Sequence, residues 1–341
     1  MQNFPWMKSP SIVGAPMRIM SGPELAIAVS RAGGLGFIGP GAKPDDTITD
    51  LVTVKQLLNM TPFQPLTKSL PIGVGFQLWN GDINSVTRAV QEHHPCAAWL
   101  FAPRDGQQEL DEWTGALRKA FPDIHIWVQI GTLPEAIEAA NSPSPLDVLV
   151  VQGVEAGGHG RAHDGMGLMT LLPEVKDALQ DSNVSLFAAG DISNGRGFAA
   201  TLALGADGVA LGTRFLASTK ARIKKGYQAE IVRATDGAKS TKRTTLYNRL
   251  RGTNWPDRYA PRGIVNKTWH DHEAGVPYEQ LKKLHDVAEK AGDEGWGIEG
   301  RLATYAGAGI GFINGVEDAG VLVERLRREA GDVIGRLSTH K

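Results

Sequence analysis

The sequence predicts an α/β protein, a closed (β/α)8 TIM barrel with an additional helical and irregular lobe after the eighth strand. Short apolar runs alternate with helical patterns through the first two-thirds of the chain, and such alternation implies a parallel sheet. Eight strands at this spacing favour a closed barrel over an open sheet. A barrel of this kind needs about 250 residues, so a surplus of roughly 90 remains for the lobe.

The eight predicted strands are mostly apolar on both faces, which is typical of buried parallel strands. In chain order they are Ile12–Pro16, Leu35–Ile38, Ile72–Leu78, Ala97–Ala102, Ile124–Ile130, Val148–Gln152, Leu186–Ala189 and Val209–Leu211.

Two helices between these strands carry clear start and stop signals. The first is expected to begin at Ser21, which can cap it, with Pro23 in the first turn and Glu24 completing a capping box. The second is predicted from Asn194 to Leu204, where apolar side chains recur at four-residue spacing before Gly205 ends the helix.

The strand positions predict three parts of the chain. Residues 1–220 form the barrel, residues 221–300 an insertion that could act as a lid or substrate lobe, and residues 301–341 a segment that packs back on the barrel. Helical patterns return at Glu279–Ala291 and Val316–Glu329. The His270–His272 tripeptide is expected in a solvated loop that could belong to the lid.

The composition excludes several classes of function. Lysine and arginine number 36 against 37 aspartate and glutamate residues, so a net charge of −1 gives no overall attraction to nucleic acid or to an anionic membrane. The lone Cys96 excludes an internal disulfide framework and fits a reducing compartment. No secretory signal or transmembrane run is visible, so we expect a cytoplasmic protein, with its oligomeric state open.

The loops after the last two strands predict a site for a phosphate-bearing ligand. Barrel active sites lie at the C-terminal ends of the strands, and phosphate is usually held by the loops after strands seven and eight. Gly190 and Gly212 stand there, Thr213 offers a hydroxyl, and the helix at Asn194 follows at once. The alternative is that both glycines only make tight turns.

The loop after the sixth strand predicts a catalytic histidine. The pair Gly157–Gly158 lets the backbone pass close to a flat ligand, and His159 follows directly. A neutral imidazole there could accept a proton from a bound substrate. The alternative is a structural histidine. Glu155 could be a partner of this site or a helix cap, and the sequence does not decide between them.

Three stretches of the chain resemble the nitronate monooxygenase family, formerly called 2-nitropropane dioxygenases. They are Gly14–Met17 (GAPM), Gln152–His159 (QGVEAGGH) and Leu204–Phe215 (LGADGVALGTRF). The similarity covers most of residues 11–218 and a shorter stretch around Tyr305–Asn314. The second element is distinctive, whereas the other two also occur in related flavin barrels.

This resemblance implies non-covalent FMN and the oxidation by O2 of alkyl nitronates, and of nitroalkanes with them, to a carbonyl compound and nitrite. It makes His159 the catalytic residue. Because a nitroalkane α-proton is acidic enough for an imidazole base, we expect His159→Asn to lower turnover of the neutral nitroalkane far more than turnover of the nitronate. The implied FMN contacts are Ala15, Pro16 and Met17 along the ring, Gln77, Gln129 and Gln152 at the ring or ribityl chain, Ala156 and Gly157 beside the flavin, and Ala189, Gly190, Asp191, Gly212 and Thr213 around the phosphate.

The chain departs from the family pattern at three positions. Asp191 follows Gly190 where a second glycine is usual, and a carboxylate beside a phosphate is unfavourable unless it points away or caps the Asn194 helix. The third strand ends in Gln77, where asparagine is more usual. The segment after Phe215 lacks a glutamate that is often found there.

Three other functions remain open at this point. Related barrels include NAD(P)H-dependent reductases of a quinone or an enoyl thioester. A flavin-free barrel enzyme could act on a phosphorylated metabolite, and a non-catalytic flavin- or nucleotide-binding module could carry the same loops. No metal site is expected, because His93–Cys96 has the wrong spacing for a standard zinc site and no second cluster accompanies it.

A basic stretch runs from Lys220 to Arg251, with ten lysine and arginine residues against two acids. We interpret it as a solvated helix face. The alternative is attraction of an anionic substrate or an NAD(P)H phosphate.

Overall fold

The computed structural model describes residues 4–43, 45–64 and 68–339, with a closed barrel of eight parallel strands at its centre. The strands are β1 (Ser11–Gly14), β2 (Leu35–Ile38), β3 (Leu70–Gln77), β4 (Pro95–Phe101), β5 (His125–Ile130), β6 (Val148–Gln152), β7 (Gly158–Arg161), β8 (Ser185–Ala189), β9 (Gly208–Leu211), β10 (Thr241–Arg243) and β11 (Tyr259–Ile264). The barrel order is β1-β2-β3-β4-β5-β6-β8-β9, and β9 pairs with β1 to close it. The eight predicted strands are confirmed, with ends that differ by two residues at most.

Helices surround this barrel. Within the described residues they are α1 (Pro23–Arg31), α2 (Asp46–Met60), α3 (Ile83–His93), α4 (Gln107–Ala120), α5 (Leu133–Ala140), α6 (Leu168–Ala178), α7 (Gly195–Ala203), α8 (Thr213–Leu216), α9 (Lys225–Arg233), α10 (Gly237–Ser240), α11 (Leu246–Leu250), α12 (Lys267–Glu273), α13 (Tyr278–Lys290) and α14 (Ala319–Ser338). None of these helices is both long and apolar enough to cross a membrane. The cytoplasmic location stays a prediction.

Aromatic side chains fill the interior of the barrel. Trp99 of β4 and Trp127 of β5 stack with ring centroids 5.9 Å apart. Phe37 packs edge-on against both indoles, and Phe187 contacts Trp127 with a centroid distance of 4.7 Å. All four rings are fully buried. The barrel is therefore a packed core, and space for a ligand lies at its mouth.

The two helix starts predicted above differ in outcome. Asn194 caps α7, because its side-chain oxygen accepts a hydrogen bond of 3.0 Å from the Gly197 N–H. The cap predicted at Ser21 is wrong. Gly22 is the capping residue of α1, and the Ser21 hydroxyl instead accepts a 2.8 Å bond from the backbone N–H of Met17. Ser21 thus stabilises the turn after β1.

The helix near the C-terminus completes the ring around the barrel. α14 lies against both α7 and α1. The Glu329 carboxylate accepts a 3.0 Å hydrogen bond from Gly195 at the start of α7. Arg327 donates to the carbonyls of Ala32 and Gly33 at 3.2 and 2.7 Å, just beyond α1. The helix runs further than the predicted Val316–Glu329.

The chain between β9 and α14 forms the lobe, and it contains strands that the sequence did not indicate. β10 and β11 form an antiparallel sheet in the order β10-β11-β7, so the lobe pairs with the histidine loop of the barrel. His270–His272 lies on helix α12, which makes the loop prediction wrong. The domain bounds at residues 220 and 300 stay predictions.

Candidate active site

A cleft opens at the C-terminal ends of the barrel strands. It holds about 1350 Å³ of space, including its opening to solvent. The structure brings every predicted site residue to its wall: Ala15, Pro16, Met17, Gln77, Gln129, Gln152, Ala156, Gly157, His159, Ala189, Gly190, Asp191, Gly212 and Thr213. Strand-end reasoning therefore identified one contiguous site, although the role of each residue stays a prediction.

The glycine loops after β8 and β9 form part of the wall of this cleft. Gly190 has a φ of +119°, a conformation that side chains rarely adopt. A Cβ at Gly212 would contact only the Met17 sulfur at 3.8 Å, so its backbone faces open space. The Thr213 hydroxyl accepts a 3.1 Å bond from Gly307 N–H, which leaves its own hydrogen to donate to a ligand.

The start of α7 contributes less to an anion site than its position suggests. Its first N–H, on Gly195, already donates to Glu329, and Gly197 donates to the Asn194 cap. The glycine loops and the Thr213 hydroxyl, by contrast, lie on the cleft wall with donors left for a ligand.

Asp191 lies next to these loops, but its carboxylate is engaged elsewhere. It accepts a short hydrogen bond from the backbone N–H of Gly309 and does not cap α7. Burial raises the pKa of Asp191 to about 6, and the nearby Glu155 carboxylate acts in the same direction, opposed by the Gly309 bond and Arg262. Asp191 therefore does not cap the Asn194 helix, and its carboxylate is bound to Gly309, which also lines the cleft.

Each of the three glutamines on the cleft wall has one end of its amide available. The Gln77 Oε1 atom is buried and has no hydrogen-bond partner among the described residues. Gln129 Oε1 accepts a 3.0 Å bond from Trp99 Nε1, which leaves its NH2 group to donate. Gln152 Nε2 donates to the His159 carbonyl at 3.2 Å, which leaves its oxygen to accept. Together they offer the mixed donors and acceptors that a polar ring system requires.

Arg243 makes most of the side-chain hydrogen bonds to the loop between β6 and β7, and Arg262 adds one to the Val154 carbonyl at 3.3 Å. The guanidinium of Arg243 donates to the backbone carbonyls of Val154, Ala156, Gly158 and Ala260. Because its partners are carbonyls in a buried setting, burial lowers the pKa of Arg243 to about 10. This network fixes the loop that leads to the predicted histidine.

Two neighbouring residues of this loop also have structural roles. The Glu155 carboxylate accepts the N–H of Leu168 at 3.1 Å, so it binds the start of α6, as the helix-cap alternative expects. A Cβ at Gly157 would lie 2.5 Å from the backbone of Ala306 and Gly307, so only glycine permits this close approach.

His159 lies on β7, half-buried between side chains from the lobe. Its Nε2 atom is 2.9 Å from Asn248 Oδ1 of α11. The Trp255 indole stacks on the imidazole with centroids 3.6 Å apart and planes 9° apart, and Tyr305 meets it edge-on at 5.7 Å. Three side chains from outside the barrel therefore enclose the ring.

This enclosure keeps the imidazole neutral. Burial lowers the pKa of His159 to about 3, the positive charges of Arg251, Arg243 and Arg18 lower it further, and the Asn248 bond opposes them. A histidine with this pKa is unprotonated at physiological pH.

Two arginines give the cleft mouth a positive potential. Arg18 and Arg251 both line the cleft. Burial lowers the pKa of Arg18, and the charge of Arg251 adds to that effect, so the two guanidiniums act on each other. Arg251 donates to the Tyr305 hydroxyl at 2.8 Å and Arg18 to the Gly41 carbonyl at 3.4 Å. Neither acceptor cancels their charge, so the mouth favours an anion.

The basic stretch therefore has two parts. Most of its side chains are exposed, and several form surface ion pairs, such as Arg222 with Asp50 at 2.8 Å and Arg233 with Glu230 at 2.6 Å. The solvated-face interpretation is right for these. Arg243 and Arg251 belong to the site instead.

Sequence reasoning did not name four of the site residues: Arg18, Asn248, Trp255 and Tyr305. It offered Arg251 only as part of the basic stretch, under the alternative of attracting an anionic substrate. Arg18 directly follows Met17 at a strand end, which was a usable signal. The others reach the cleft through the lobe and the segment near residue 305, and no local pattern links them to His159.

The fold and the site define a class of barrel enzyme in which a glycine-lined anion pocket and a neutral histidine share one cleft at the barrel mouth. A protein-family model described as nitronate monooxygenase matches residues 82–329 of this chain. The chain belongs to the nitronate monooxygenase family, whose members are oxidoreductases that depend in general on a flavin.

Individual relatives agree with this family. A nitronate monooxygenase of Metarhizium robertsii is 56% identical over 99% of this chain and 96% of its own. A nitronate monooxygenase of Neurospora crassa is 34% identical, over 98% of this chain and 92% of its own. The solved structure of a nitroalkane oxidase from Streptomyces ansochromogenes has a TM-score of 0.75 at 26% identity, over 98% of this chain and 99% of that one.

Proposed function

We propose that this enzyme binds FMN in the cleft and oxidises alkyl nitronates with O2 to a carbonyl compound and nitrite, in the cytoplasm. The observation that carries the proposal is a single cleft lined by the His159 imidazole, by the glycine loops after β8 and β9, and by Arg18 and Arg251. The names of the relatives support the same reaction.

The residues of the cleft fit FMN by their chemistry. The Gly190 and Gly212 loops with the Thr213 hydroxyl would hold the phosphate. The backbone of Ala15–Met17 would lie along the flavin ring, where the unpartnered oxygen of Gln77 supplies an acceptor for a ring N–H. Ala156, Gly157, Ala189, Gln129 and Gln152 complete the contacts proposed for the flavin. When bound, FMN would accept electrons from the substrate and pass them to O2.

The chain's own groups provide binding and proton transfer. Arg18 and Arg251 attract a nitronate anion into the cleft. Trp255 and Tyr305 cover the His159 ring and limit access of water. With a neutral nitroalkane, His159 accepts the α-proton, and the resulting imidazolium holds the nitronate in place. With a nitronate supplied directly, no base is needed.

The proposal is tested with purified protein in three steps. We expect a flavin absorbance spectrum, and nitrite release when alkyl nitronates are added in air. His159→Asn should lower kcat/KM for a neutral nitroalkane by about 10²–10⁴-fold, the usual contribution of a general base, and should lower nitronate turnover far less. Equal losses on the two substrates would contradict the base assignment.

Two results would overturn the reaction itself. A protein that stays colourless after addition of FMN would favour a flavin-free barrel enzyme. Rapid bleaching of the flavin by NADPH without air, with no nitrite formed from nitronates, would favour a reductase of a quinone or an enoyl thioester.

A further inference from the structure

We propose that Asn248 is a positioning residue that fixes the tautomer and orientation of His159, so that Nδ1 is the ring nitrogen that accepts the substrate proton. This inference rests on the proposed function, because it deepens the role of His159. It assigns to the lobe a direct part in the proton-transfer step.

The hydrogen bond itself selects the tautomer. Asn248 Oδ1 lies 2.9 Å from His159 Nε2, and a carbonyl oxygen can only accept. With the amide oxygen turned toward the ring, as it is here, Nε2 carries the proton. In a neutral imidazole the other nitrogen then has the free lone pair, so Nδ1 is the base.

The stacking partner cannot make this selection. Trp255 lies parallel to the imidazole and holds its plane. A 180° rotation of the ring about its own axis leaves that plane unchanged, and so does a change of tautomer. Only a directional contact at one nitrogen distinguishes these states, and within the described residues the hydrogen bond of the ring is the one to Asn248.

Asn248 is well placed to impose its geometry. It is 6% exposed and lies on α11, whose residues Leu246 and Leu250 are buried in a cluster with Leu281. Its backbone carbonyl accepts bonds from Thr253, at 3.0 Å from the N–H and 3.3 Å from the hydroxyl. The backbone that carries the Asn248 side chain is therefore held in place before a substrate arrives.

A neutral amide suits the charges around the ring. The charged groups that act on His159 are the guanidiniums of Arg18, Arg243 and Arg251, and Tyr305 is the titratable ring that faces it. A carboxylate at position 248 would orient the imidazole equally well. It would also stabilise the imidazolium and offset the positive charge of the arginines that attracts a substrate anion. Asparagine orients the ring and leaves it neutral.

The tautomer is measured directly by ¹⁵N NMR of the protein as purified, with its histidines labelled. The chain has nine histidines, and the pair of signals that is lost in His159→Asn belongs to His159. We expect a protonated Nε2 and an unprotonated Nδ1 for His159 at pH 7. In Asn248→Ala the two nitrogens should show averaged or reversed protonation. A protonated Nδ1 in the wild type, or an unchanged pattern in Asn248→Ala, would overturn the inference. This measurement does not require any turnover.

Kinetics give the functional test. Asn248→Ala should lower kcat/KM for a neutral nitroalkane by about tenfold or more, within the 10²–10⁴-fold that a general base contributes, and should change nitronate turnover less than about threefold. Asn248→Asp retains an acceptor, so its rate with the nitroalkane should be much higher than that of Asn248→Ala. The acid limb of its pH profile should lie at higher pH than in the wild type, because the carboxylate raises the pKa of the imidazole.

The exposed Asn254 in the following loop provides the matched control, and Asn254→Ala should leave both rates unchanged. Equal losses on nitroalkane and nitronate in Asn248→Ala, or an unmoved pH profile in Asn248→Asp, would refute the positioning role. If the wild type releases nitrite from neither substrate, the proposed function fails, and the NMR measurement alone decides the role of Asn248.

Discussion

Replacing Asp191 by asparagine should stabilise the protein at neutral pH but not in acid. Asp191 is half-buried, has a φ of +60° and accepts a bond from Gly309 N–H. Asparagine tolerates the same left-handed backbone and keeps an acceptor oxygen. The substitution therefore removes the charge with little change in shape.

The size of the effect follows from the pKa. Burial raises the pKa of Asp191 from its usual 3.8 to about 6. The folded protein thus binds this proton more tightly than the unfolded chain does, and stability is lost as the pH rises from about 4 to about 6. At about 1.36 kcal/mol per pKa unit the full loss is about 3 kcal/mol, of which about 2 kcal/mol falls between pH 4.5 and 7.5.

Thermal unfolding without added ligand measures this difference. An unfolding entropy of about 2.1 cal/mol/K per residue converts about 2 kcal/mol into about 3 °C for a chain of this length. The Tm of Asp191→Asn relative to wild type should therefore rise by about 3 °C between pH 4.5 and pH 7.5. Asp181→Asn, at an exposed carboxylate, is the control and should show no such change. A Tm difference for Asp191→Asn that is the same at both pH values would refute the reasoning.

Two further predictions concern the walls of the cleft. Gly157→Ala places a Cβ 2.5 Å from the backbone of 306–307, so that segment must move, and the Kd for FMN in a fluorescence titration should rise at least tenfold. Gly275→Ala, outside the cleft, with a φ of +83° and no atom within 4 Å of the new Cβ, should cost about 1–2 kcal/mol of stability but leave the Kd unchanged, and equal Kd values for both variants would contradict this. Trp255→Ala uncovers His159, whose pKa of about 3 is due mainly to burial. The acid limb of the pH profile for nitroalkane turnover should therefore move to higher pH by about one unit or more. The shift should be smaller in Trp255→Phe, which keeps an aromatic ring. An unmoved limb would show that Trp255 does not shield the ring.

The barrel could be predicted because its strands are apolar on both faces, which is a local property. Runs such as Val148–Gln152 are recognisable without knowing their neighbours. The lobe sheet could not be predicted for the opposite reason. β7 reads GHGR and β10 reads TKR, with no apolar alternation. Both are strands only because β11 pairs with them, and that pairing is not visible in a local window.

The same distinction between local and long-range information applies to the site. Positions dictated by strand ends, such as Gly190 and Gly212, were identified because the barrel places all of its strand ends at one mouth. Asn248 is 89 residues from the histidine that it contacts, and nothing in its own surroundings marks it as a site residue. Ser21 shows a third case, in which a correct local motif was overridden because the Met17 N–H offered its hydroxyl a different partner.

The backbone ladder between β11 and β7 has an evolutionary consequence. It places Pro261 opposite His159 through main-chain pairing, which does not depend on the identity of most side chains. The outer surface of the lobe can therefore change in sequence while β7 and β11 keep their pairing and His159 keeps its position. Exchanging the lobe between homologues would move Asn248, Trp255 and Arg251 together, whereas Arg18 would stay with the barrel.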